Sequence, residues 1–168
     1  HTPLFRIPQA ALFPHIIAVP IIGMAEGVYD YFIETNKAAT STYNKSNISG
    51  YQAIQIKVAS AAAAVTTAKA MINIDCDEAT QTIALGHNCT EEQKHRWRCN
   101  ASYVANLCFD AIEGLYKATG GRGAYKKNPI QRHYRDASVG ITHISMSWDV
   151  IGAEFGRYAL GRGSNPSL

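Results

Sequence analysis

The sequence predicts an all-α fold, an antiparallel up-and-down bundle of four helices, of which three are long. Two observations lead to this fold class. Apolar residues recur at alternating spacings of four and three along most of the chain, and this spacing is typical of helices that bury one face. No segment of useful length alternates apolar and polar residues as a half-buried strand would. With 168 residues, the chain is expected to form one domain, residues 1–168, around a single core.

The first helix is predicted to start at Pro14, after an extended lead-in of residues 1–13. Pro20 lies inside the apolar repeat, and we expect it to kink the helix or to delay its regular start. The helix is expected to fade in the polar run from Thr40 to Asn47. Its most apolar part, from Ile16 to Ala25, is too short to cross a bilayer. No membrane-spanning segment is therefore expected.

The second helix has the clearest apolar seam, which consists of Ile54, Val58, Ala61, Val65, Ala68 and Ile72. The alanine-rich run from Ala59 to Ala64 combines high helix propensity with small side chains. A neighbouring helix can therefore approach closely. The helix is predicted to end around Asp75 to Glu78, and a less regular segment is expected from there to Gly86.

The third and fourth helices are predicted from their ends as well as from their periodicity. Thr90 has a hydroxyl that suits an N-cap, so the third helix is predicted to begin there. It is predicted to stop at Gly120 and Gly121, because glycine commonly follows the last turn of a helix. The fourth helix is predicted to run without interruption from about Pro129 to Leu160.

Composition limits the classes of function. Only 17% of the residues are charged, which indicates that part of the surface is covered by missing chain or by partner subunits. The formal charge of +3 is too small, and too concentrated in one loop, for a surface that binds nucleic acid. The chain begins at His1 and not at a methionine. We therefore expect it to be a fragment of a longer protein.

Cysteine usage indicates a reducing compartment and no metal site. The four cysteines form no CxxC pair: Cys76, Cys89, Cys99 and Cys108. We expect free thiols in the cytoplasm. One cluster of possible zinc ligands matches no common structural spacing: His87, Cys89, His95 and Cys99.

One stretch, residues 120–148, combines flexible backbone, positive charge and titratable side chains more densely than the rest of the chain. Gly120, Gly121 and Gly123 allow backbone amides to face an anion, and Arg122 adds positive charge. The alternative is a glycine-rich turn that only joins two helices.

The fourth helix is predicted to carry a polar stripe beside its apolar seam. Its members recur at spacings of three or four: Arg132, Asp136, Gly140, His143 and Ser147. Lys and Glu, which fill most solvated helix faces, are absent from residues 139–150. The pattern is equally compatible with a histidine in a functional site and with a structural histidine.

The segment GGRGAYKKNPIQRHYRDA, residues 120–137, resembles the glycine-rich loop and following helix of the acyl-CoA dehydrogenase superfamily's C-terminal domain. IIGMAEGVYDYF, residues 21–32, resembles the first helix of that domain. The resemblance covers essentially the whole chain. It implies a fragment of a three-domain flavoenzyme, without the amino-terminal helical domain and the β-barrel. In the family, this domain forms the core of a tetramer, and its glycine-rich loop contacts the flavin of a neighbouring subunit.

The resemblance favours one branch of the superfamily. Dehydrogenases often carry a Tyr-Glu-Gly segment whose glutamate is the catalytic base. This chain has THISMSWD there, without a carboxylate between Asp136 and Asp149. Together with HRWRCNASYVANLC, residues 95–108, and the GGRG loop, it resembles the oxygenase component of two-component flavin-dependent monooxygenases. These include the seco-steroid, naphthocyclinone and p-hydroxyphenylacetate hydroxylases and dibenzothiophene monooxygenase.

This branch implies a cofactor and partners. A separate flavin reductase would supply reduced flavin, FMNH2 or FADH2, and O2 would provide the oxygen atom that is added to a small aromatic or polycyclic substrate. A cytoplasmic homotetramer is expected, and the isolated domain is expected to be inactive. Two alternatives stay open: an FAD-dependent acyl-CoA dehydrogenase whose base comes from elsewhere, and a non-catalytic oligomerisation module.

The resemblance also implies roles for individual residues. His143 is the candidate active-site histidine, which would stabilise the flavin hydroperoxide or bond a phenolic substrate. Ser147 is a weaker candidate for the same wall. The expected flavin contacts are Gly120, Gly121, Arg122 and Gly123, across a subunit interface, and Arg98, at a flavin phosphate.

Overall fold

The computed structural model describes residues 3–41 and 45–163, so both ends of the predicted domain and residues 42–44 lie outside the description. The described residues form five α-helices: α1 Gln9–Asn36, α2 Gln52–Ala84, α3 Glu91–Ala118, α4 Pro129–Gly140 and α5 Trp148–Ala159. Short 3-10 turns occur at Pro3–Arg6, Ile48–Gly50, Gly120–Ala124 and Ile144–Met146. Apart from one isolated bridge between Thr40 and Asn47, these residues contain no β-structure. The predicted all-α class is confirmed.

The helices pack as an antiparallel bundle with four positions. Helix α3 lies at the centre, in contact with each of the other four helices. Helices α4 and α5 occupy the fourth position in succession. Tyr134 of α4 stacks on Tyr116, with ring centroids 4.5 Å apart, near the end of α3. Glu154 of α5 bonds Arg98 at 2.7 Å, near the start of α3.

The prediction of one continuous fourth helix is wrong. Helix α4 ends at Gly140 and α5 begins at Trp148. Between them, the Thr142 hydroxyl donates to the carbonyl oxygen of Val139 at 2.7 Å, which offers the backbone a local alternative to the helix. The polar stripe predicted for this helix is therefore also wrong, because His143 lies in the connection.

Two other boundaries differ from the prediction. Helix α1 begins at Gln9, so most of the described lead-in is helical or in a 3-10 turn, and Pro14 and Pro20 both lie within the helix. Helix α2 continues to Ala84, beyond the predicted end, because its late polar residues find partners on neighbouring helices. The third helix is confirmed. The Thr90 hydroxyl accepts from the backbone N–H of Gln93 at 3.1 Å, which completes an N-cap.

Helix α1 is long and apolar enough to cross a membrane by length and composition alone. In the bundle it is a core helix, and 44% of its most apolar stretch of 18 residues is buried. Ile21, Val28 and Phe32 contribute to the main core with residues of α2 and α3. Burial in the core accounts for the apolar character of this face.

A buried polar junction joins the three long helices. The Asp75 carboxylate of α2 is fully buried, and its Oδ1 accepts from Asn100 Nδ2 of α3 at 2.9 Å. Its Oδ2 lies 3.1 Å from His15 Nε2 of α1. A buried charge is tolerated only when it is paired and hydrogen-bonded. This junction therefore fixes the relative positions of all three helices.

The four cysteines are free thiols, as expected. Burial raises the pKa of each, and it raises the pKa of Cys108 to about 12. Because the thiolate is the reactive form, these thiols are poor nucleophiles near neutral pH. Within the described residues, no three His, Cys, Asp or Glu side chains form a group that could hold a metal ion.

A second polar cluster joins the end of α2 to the start of α3. Glu78 accepts two hydrogen bonds from Arg96 Nη2, at 2.8 and 2.9 Å. It also accepts from Trp97 Nε1 at 2.9 Å and from Gln93 Nε2 at 3.2 Å. The hydrogen bonds from Arg96, followed by those from Trp97 and Gln93, lower the pKa of Glu78 from 4.5 to about 2.

Glu78→Gln is expected to make stability less dependent on pH in acid. Because the pKa of Glu78 is lower in the folded chain, its stabilisation is fully present above the unfolded value of 4.5 and is lost as the pH falls toward about 2. Between about pH 5 and about pH 3, the wild type should lose more free energy of unfolding than the variant. Urea unfolding at each pH measures this difference, and equal losses would contradict the assignment.

Candidate functional site

The predicted site residues lie in two regions of the bundle. The glycine-rich turn, Gly120–Ala124, lies near the end of α1, where Arg122 shares a hollow with Tyr31. His143 lies near the start of α1, with its ring centroid 6.0 Å from that of Phe13. Phe13 and Tyr31 are about 27 Å apart along the helix axis at 1.5 Å per residue. One chain does not bring the two regions together.

The glycine-rich turn depends on two of its glycines. Gly120 has a φ of +57°, a left-handed conformation that side chains with a Cβ rarely adopt. Gly123 is buried, and a Cβ there would overlap the Thr119 hydroxyl oxygen and lie 3.2 Å from Cε2 of Tyr116. At Gly121 a Cβ would meet nothing within 4 Å. The turn therefore packs tightly onto the end of α3 while Gly121 faces open space.

A hollow of about 400 Å³ lies beside this turn and carries two positively charged residues in its lining. Its lining includes Arg122, Lys127, Asn128, Thr119, Tyr125 and Thr35. The Arg122 carbonyl accepts from Asn128 Nδ2 at 3.2 Å, which joins the turn to the start of α4. At the start of α4, Pro129 has no backbone N–H, and the N–H of Ile130 donates to Asn128 Oδ1 at 3.0 Å, so the positive charge of this hollow comes from Arg122 and Lys127. These features suit an anion such as a phosphate.

The His143 loop, residues 141–147 between α4 and α5, is held in place by α3. Met146 is fully buried, and its carbonyl oxygen accepts from Ser102 Oγ at 3.1 Å and from Asn106 Nδ2 at 2.8 Å. Two donors on one carbonyl, next to a buried side chain, fix the loop against the bundle. The interruption of the fourth helix is thus stabilised by hydrogen bonds from α3.

The loop also sets which ring nitrogen of His143 carries a proton. Nδ1 of His143 accepts from the backbone N–H of Ser145 at 3.2 Å. Nδ1 is then unprotonated, and the neutral ring carries its proton on Nε2. The ring is exposed and tilted by 48° against Phe13. His143 therefore presents an N–H donor to its surroundings.

Ser147 and Arg98 have structural partners in the bundle. Ser147 is the N-cap residue of α5, and its carbonyl accepts from the backbone N–H of Ile151 at 2.9 Å. Arg98 Nη1 donates to Glu154 Oε1 at 2.7 Å. Nδ1 of His95 lies 3.5 Å from the same carboxylate oxygen. Arg98 also lines a hollow with Phe13, on the His143 side of the bundle.

Some site residues are not identified by the sequence reasoning. Phe13 falls in the predicted extended lead-in, and Ser145 falls inside the predicted continuous helix. Ser102 and Asn106 support the loop from α3, on the segment HRWRCNASYVANLC. Their spacing of four residues places them on one helix face, and this is the signal that could have identified them.

Residues 15–148 match the family described as "Acyl-CoA dehydrogenase, C-terminal domain". This chain is 29% identical over 168 residues to the FADH(2)-dependent resorcinol hydroxylase, oxygenase component, of Rhizobium sp.. That alignment covers 94% of the chain and 41% of the relative. The chain is 23% identical to the p-hydroxyphenylacetate 3-hydroxylase, oxygenase component, of Acinetobacter baumannii, covering 98% of the chain and 39% of the relative. The chain thus spans about two fifths of the length of these relatives.

Solved structures share the fold. The 3-HSA hydroxylase from Rhodococcus sp. RHA1 superposes with a TM-score of 0.89 at 20% identity, covering 99% of this chain and 43% of that one. XiaF from Streptomyces sp., in complex with FADH2 and glycerol, superposes with a TM-score of 0.90 at 18% identity, covering 100% of this chain and 43% of that one. The likeness extends over essentially the whole chain and shows a shared fold.

Gly123→Ala is expected to lower the free energy of unfolding by about 1–3 kcal/mol, the usual cost of overpacking. The new Cβ would displace the Thr119 hydroxyl, which donates to the carbonyl of Tyr116 at 2.7 Å. Gly121→Ala is the matched control, because its Cβ has open space. Denaturant unfolding of both variants measures the difference. A loss for Gly121→Ala as large as that for Gly123→Ala would contradict this account of the turn.

Proposed function

This chain belongs to the acyl-CoA dehydrogenase C-terminal domain family, and from that premise we propose that it is the helical part of the oxygenase component of a two-component flavin-dependent monooxygenase. The substrate class is a small aromatic or polycyclic compound that is hydroxylated with reduced flavin and O2. Relatives named as oxygenase components of resorcinol and p-hydroxyphenylacetate hydroxylases support the proposal.

The observation that carries the proposal is the position and tautomer of His143. The ring presents an Nε2–H donor, because Nδ1 accepts from Ser145. Such a donor can bond a developing negative charge on oxygen or the oxygen of a phenol. Removal of a proton from the α-carbon of an acyl thioester needs a base. The chain has no carboxylate between Asp136 and Asp149 that could serve as this base. Oxygen-transfer chemistry therefore suits this loop better than dehydrogenation.

The residues around the glycine-rich turn fit a flavin phosphate. Arg122 and Lys127 line the hollow there, and the close packing of Gly123 holds the turn in place. Gly120, Gly121, Arg122 and Gly123 are the proposed contacts. Reduced flavin, when bound, would supply the electrons that activate O2 for transfer of one of its oxygen atoms to the substrate. The chain's own residues bind the cofactor, orient it and exclude water.

We propose that the turn contacts a flavin bound mainly by a neighbouring subunit. The separation of about 27 Å between the turn and the His143 region supports this arrangement, because two copies can supply what one cannot. Ser147 remains a candidate for the wall beside His143. The flavin-phosphate contact predicted for Arg98 requires the cofactor to extend to the His143 side of the bundle.

A homotetramer in the cytoplasm, served by a separate flavin reductase, completes the proposal. The outward face of α2 carries an exposed, uncharged row at alternating spacings of four and three: Ile56, Ser60, Ala63, Thr67, Ala70 and Ile74. Such a row suits close packing against a second helix. Sedimentation velocity of the full-length protein should give the mass of a tetramer, and a monomer would reject this assembly.

His143→Ala in the full-length protein is expected to uncouple oxygen consumption from hydroxylation. Without the Nε2–H donor, product formed per O2 consumed should fall by about tenfold or more, and hydrogen peroxide should rise in its place. His87→Ala removes an exposed histidine outside the site and is the control. The measurement is O2 uptake, product and peroxide in the presence of a reductase. Unchanged coupling, or dye reduction with an acyl-CoA instead, would contradict the proposed function.

A further inference from the structure

A hollow of about 340 Å³ lies next to the His143 loop. Its walls come from α1, from α3 and from the loop, and its lining is Gln9, Ala10, Phe13, Pro14, Arg98 and Ser145. Arg98 is the charged member of this lining. Ser145 gives its backbone N–H to His143, and Phe13 is tilted against the His143 ring. The hollow therefore adjoins the residue proposed to act on oxygen.

The buried carboxylate of Glu154 holds the guanidinium of Arg98 in place. Arg98 Nη1 donates to Glu154 Oε1 at 2.7 Å. The Glu154 side chain is only 5% exposed, whereas that of Arg98 is 25% exposed. A buried acceptor that holds an accessible cation fixes its orientation before a ligand arrives, which lowers the entropy lost on binding.

Most of the donors of Arg98 are still unused. A guanidinium has five N–H donors in a planar fork, and the bond to Glu154 is the one hydrogen bond of the Arg98 side chain within the described chain. If Arg98 served only to hold α3 and α5 together, a second hydrogen bond from Arg98 to the Glu154 carboxylate would be expected. Instead, Glu154 Oε2 is buried and has no partner among the described residues. The single contact leaves the rest of the fork for a ligand in the hollow.

The charge balance favours a carboxylate over a phosphate. Planar carboxylates match the fork of arginine with two parallel hydrogen bonds. Glu154 already offsets much of the charge of Arg98, so the site suits a ligand with one negative charge. A phosphate monoester carries about −1.5 to −2 near neutral pH and would need further cations, but no second charged residue lines the hollow among the residues that the structure describes.

We infer that Arg98 binds the carboxylate of the substrate, so that the preferred substrates are phenols that bear an anionic side chain. This inference rests on the proposed function, because it assigns the substrate class to the same site. Phe13 would pack on the aromatic ring while His143 bonds its oxygen. Arg98 then selects among aromatic substrates and takes no part in the oxygen transfer itself.

The test is anaerobic binding to the full-length protein with reduced flavin. The probes are 4-hydroxybenzoate, 4-hydroxyphenylacetate and 3-(4-hydroxyphenyl)propanoate, each paired with its uncharged primary amide. At least one carboxylate should bind more tightly than its amide. Arg98→Gln should weaken that carboxylate by about tenfold or more, the value of a charge-assisted hydrogen bond, and leave the amide unchanged. Arg157→Gln removes an exposed arginine outside the hollow and should change neither.

A second variant guards against misfolding. Arg98→Gln removes the guanidinium that pairs with buried Glu154 and leaves His95 as its remaining ion-pair partner, which can destabilise the fold. Arg98→Gln combined with Glu154→Gln removes both charges and should show the same selective loss. Glu154→Gln alone should keep the preference for the carboxylate, because Arg98 stays charged.

Three outcomes would overturn the inference: no carboxylate binds more tightly than its amide, Arg98→Gln weakens both members of a pair equally, or it weakens reduced flavin instead. The last outcome would identify a flavin phosphate as the anion. O2 consumption and hydroxylated product, measured separately, report on the proposed function. If the protein hydroxylates uncharged phenols whether or not Arg98 is present, the proposed function holds and the inference about Arg98 fails. If it selects carboxylates through Arg98 but does not hydroxylate them, the inference holds and the proposed function fails.

Discussion

The packing of the bundle around the His143 loop depends on the fully buried carboxylate of Asp75. This carboxylate takes hydrogen-bonding partners from both of the other long helices, His15 of α1 and Asn100 of α3. An unpaired charge at this depth would be strongly destabilising, so the pairing favours the helix register that brings His15 and Asn100 to Asp75. Phe13 lies two residues before His15, and Arg98 lies two residues before Asn100. The junction that satisfies Asp75 therefore also sets two walls of the hollow beside the His143 loop.

The third wall depends on a helix that does not continue. Ser102 and Asn106 bind the carbonyl oxygen of Met146, and this holds the His143 loop against the same face of α3 that carries Arg98 one turn earlier. Within the loop, the bond from Ser145 leaves Nε2–H as the donor of His143. Had α4 run into α5 as one helix, the backbone N–H of Ser145 would bond along the helix and would not be available to the ring. The break is thus what makes His143 a donor of defined geometry.

The sequence predicted the parts of the fold that depend on local chemistry. The Thr90 cap and the glycine stop at Gly120 were identified because each satisfies the backbone within a few residues. The end of α2 was not, because Asp75 and Glu78 look like surface residues until their partners on α1 and α3 are known. His143 was identified as a candidate, but its setting was wrong, since two residues distant in sequence, Ser102 and Asn106, stabilise the break. The phosphate role predicted for Arg98 could not include Glu154, which lies 56 residues further along the chain.

The proposed role of His143 depends most directly on which nitrogen of its ring carries the proton. In a chain labelled with ¹⁵N-histidine, long-range ¹H–¹⁵N correlation spectra distinguish a protonated from an unprotonated ring nitrogen. At a pH where the ring is neutral, His143 should show an unprotonated Nδ1 and a protonated Nε2, as the bond from Ser145 requires. The opposite tautomer, or a fast exchanging mixture of both, would mean that the loop does not fix the ring. The His143 donor, and with it the proposed role in oxygen transfer, would then lose its structural basis.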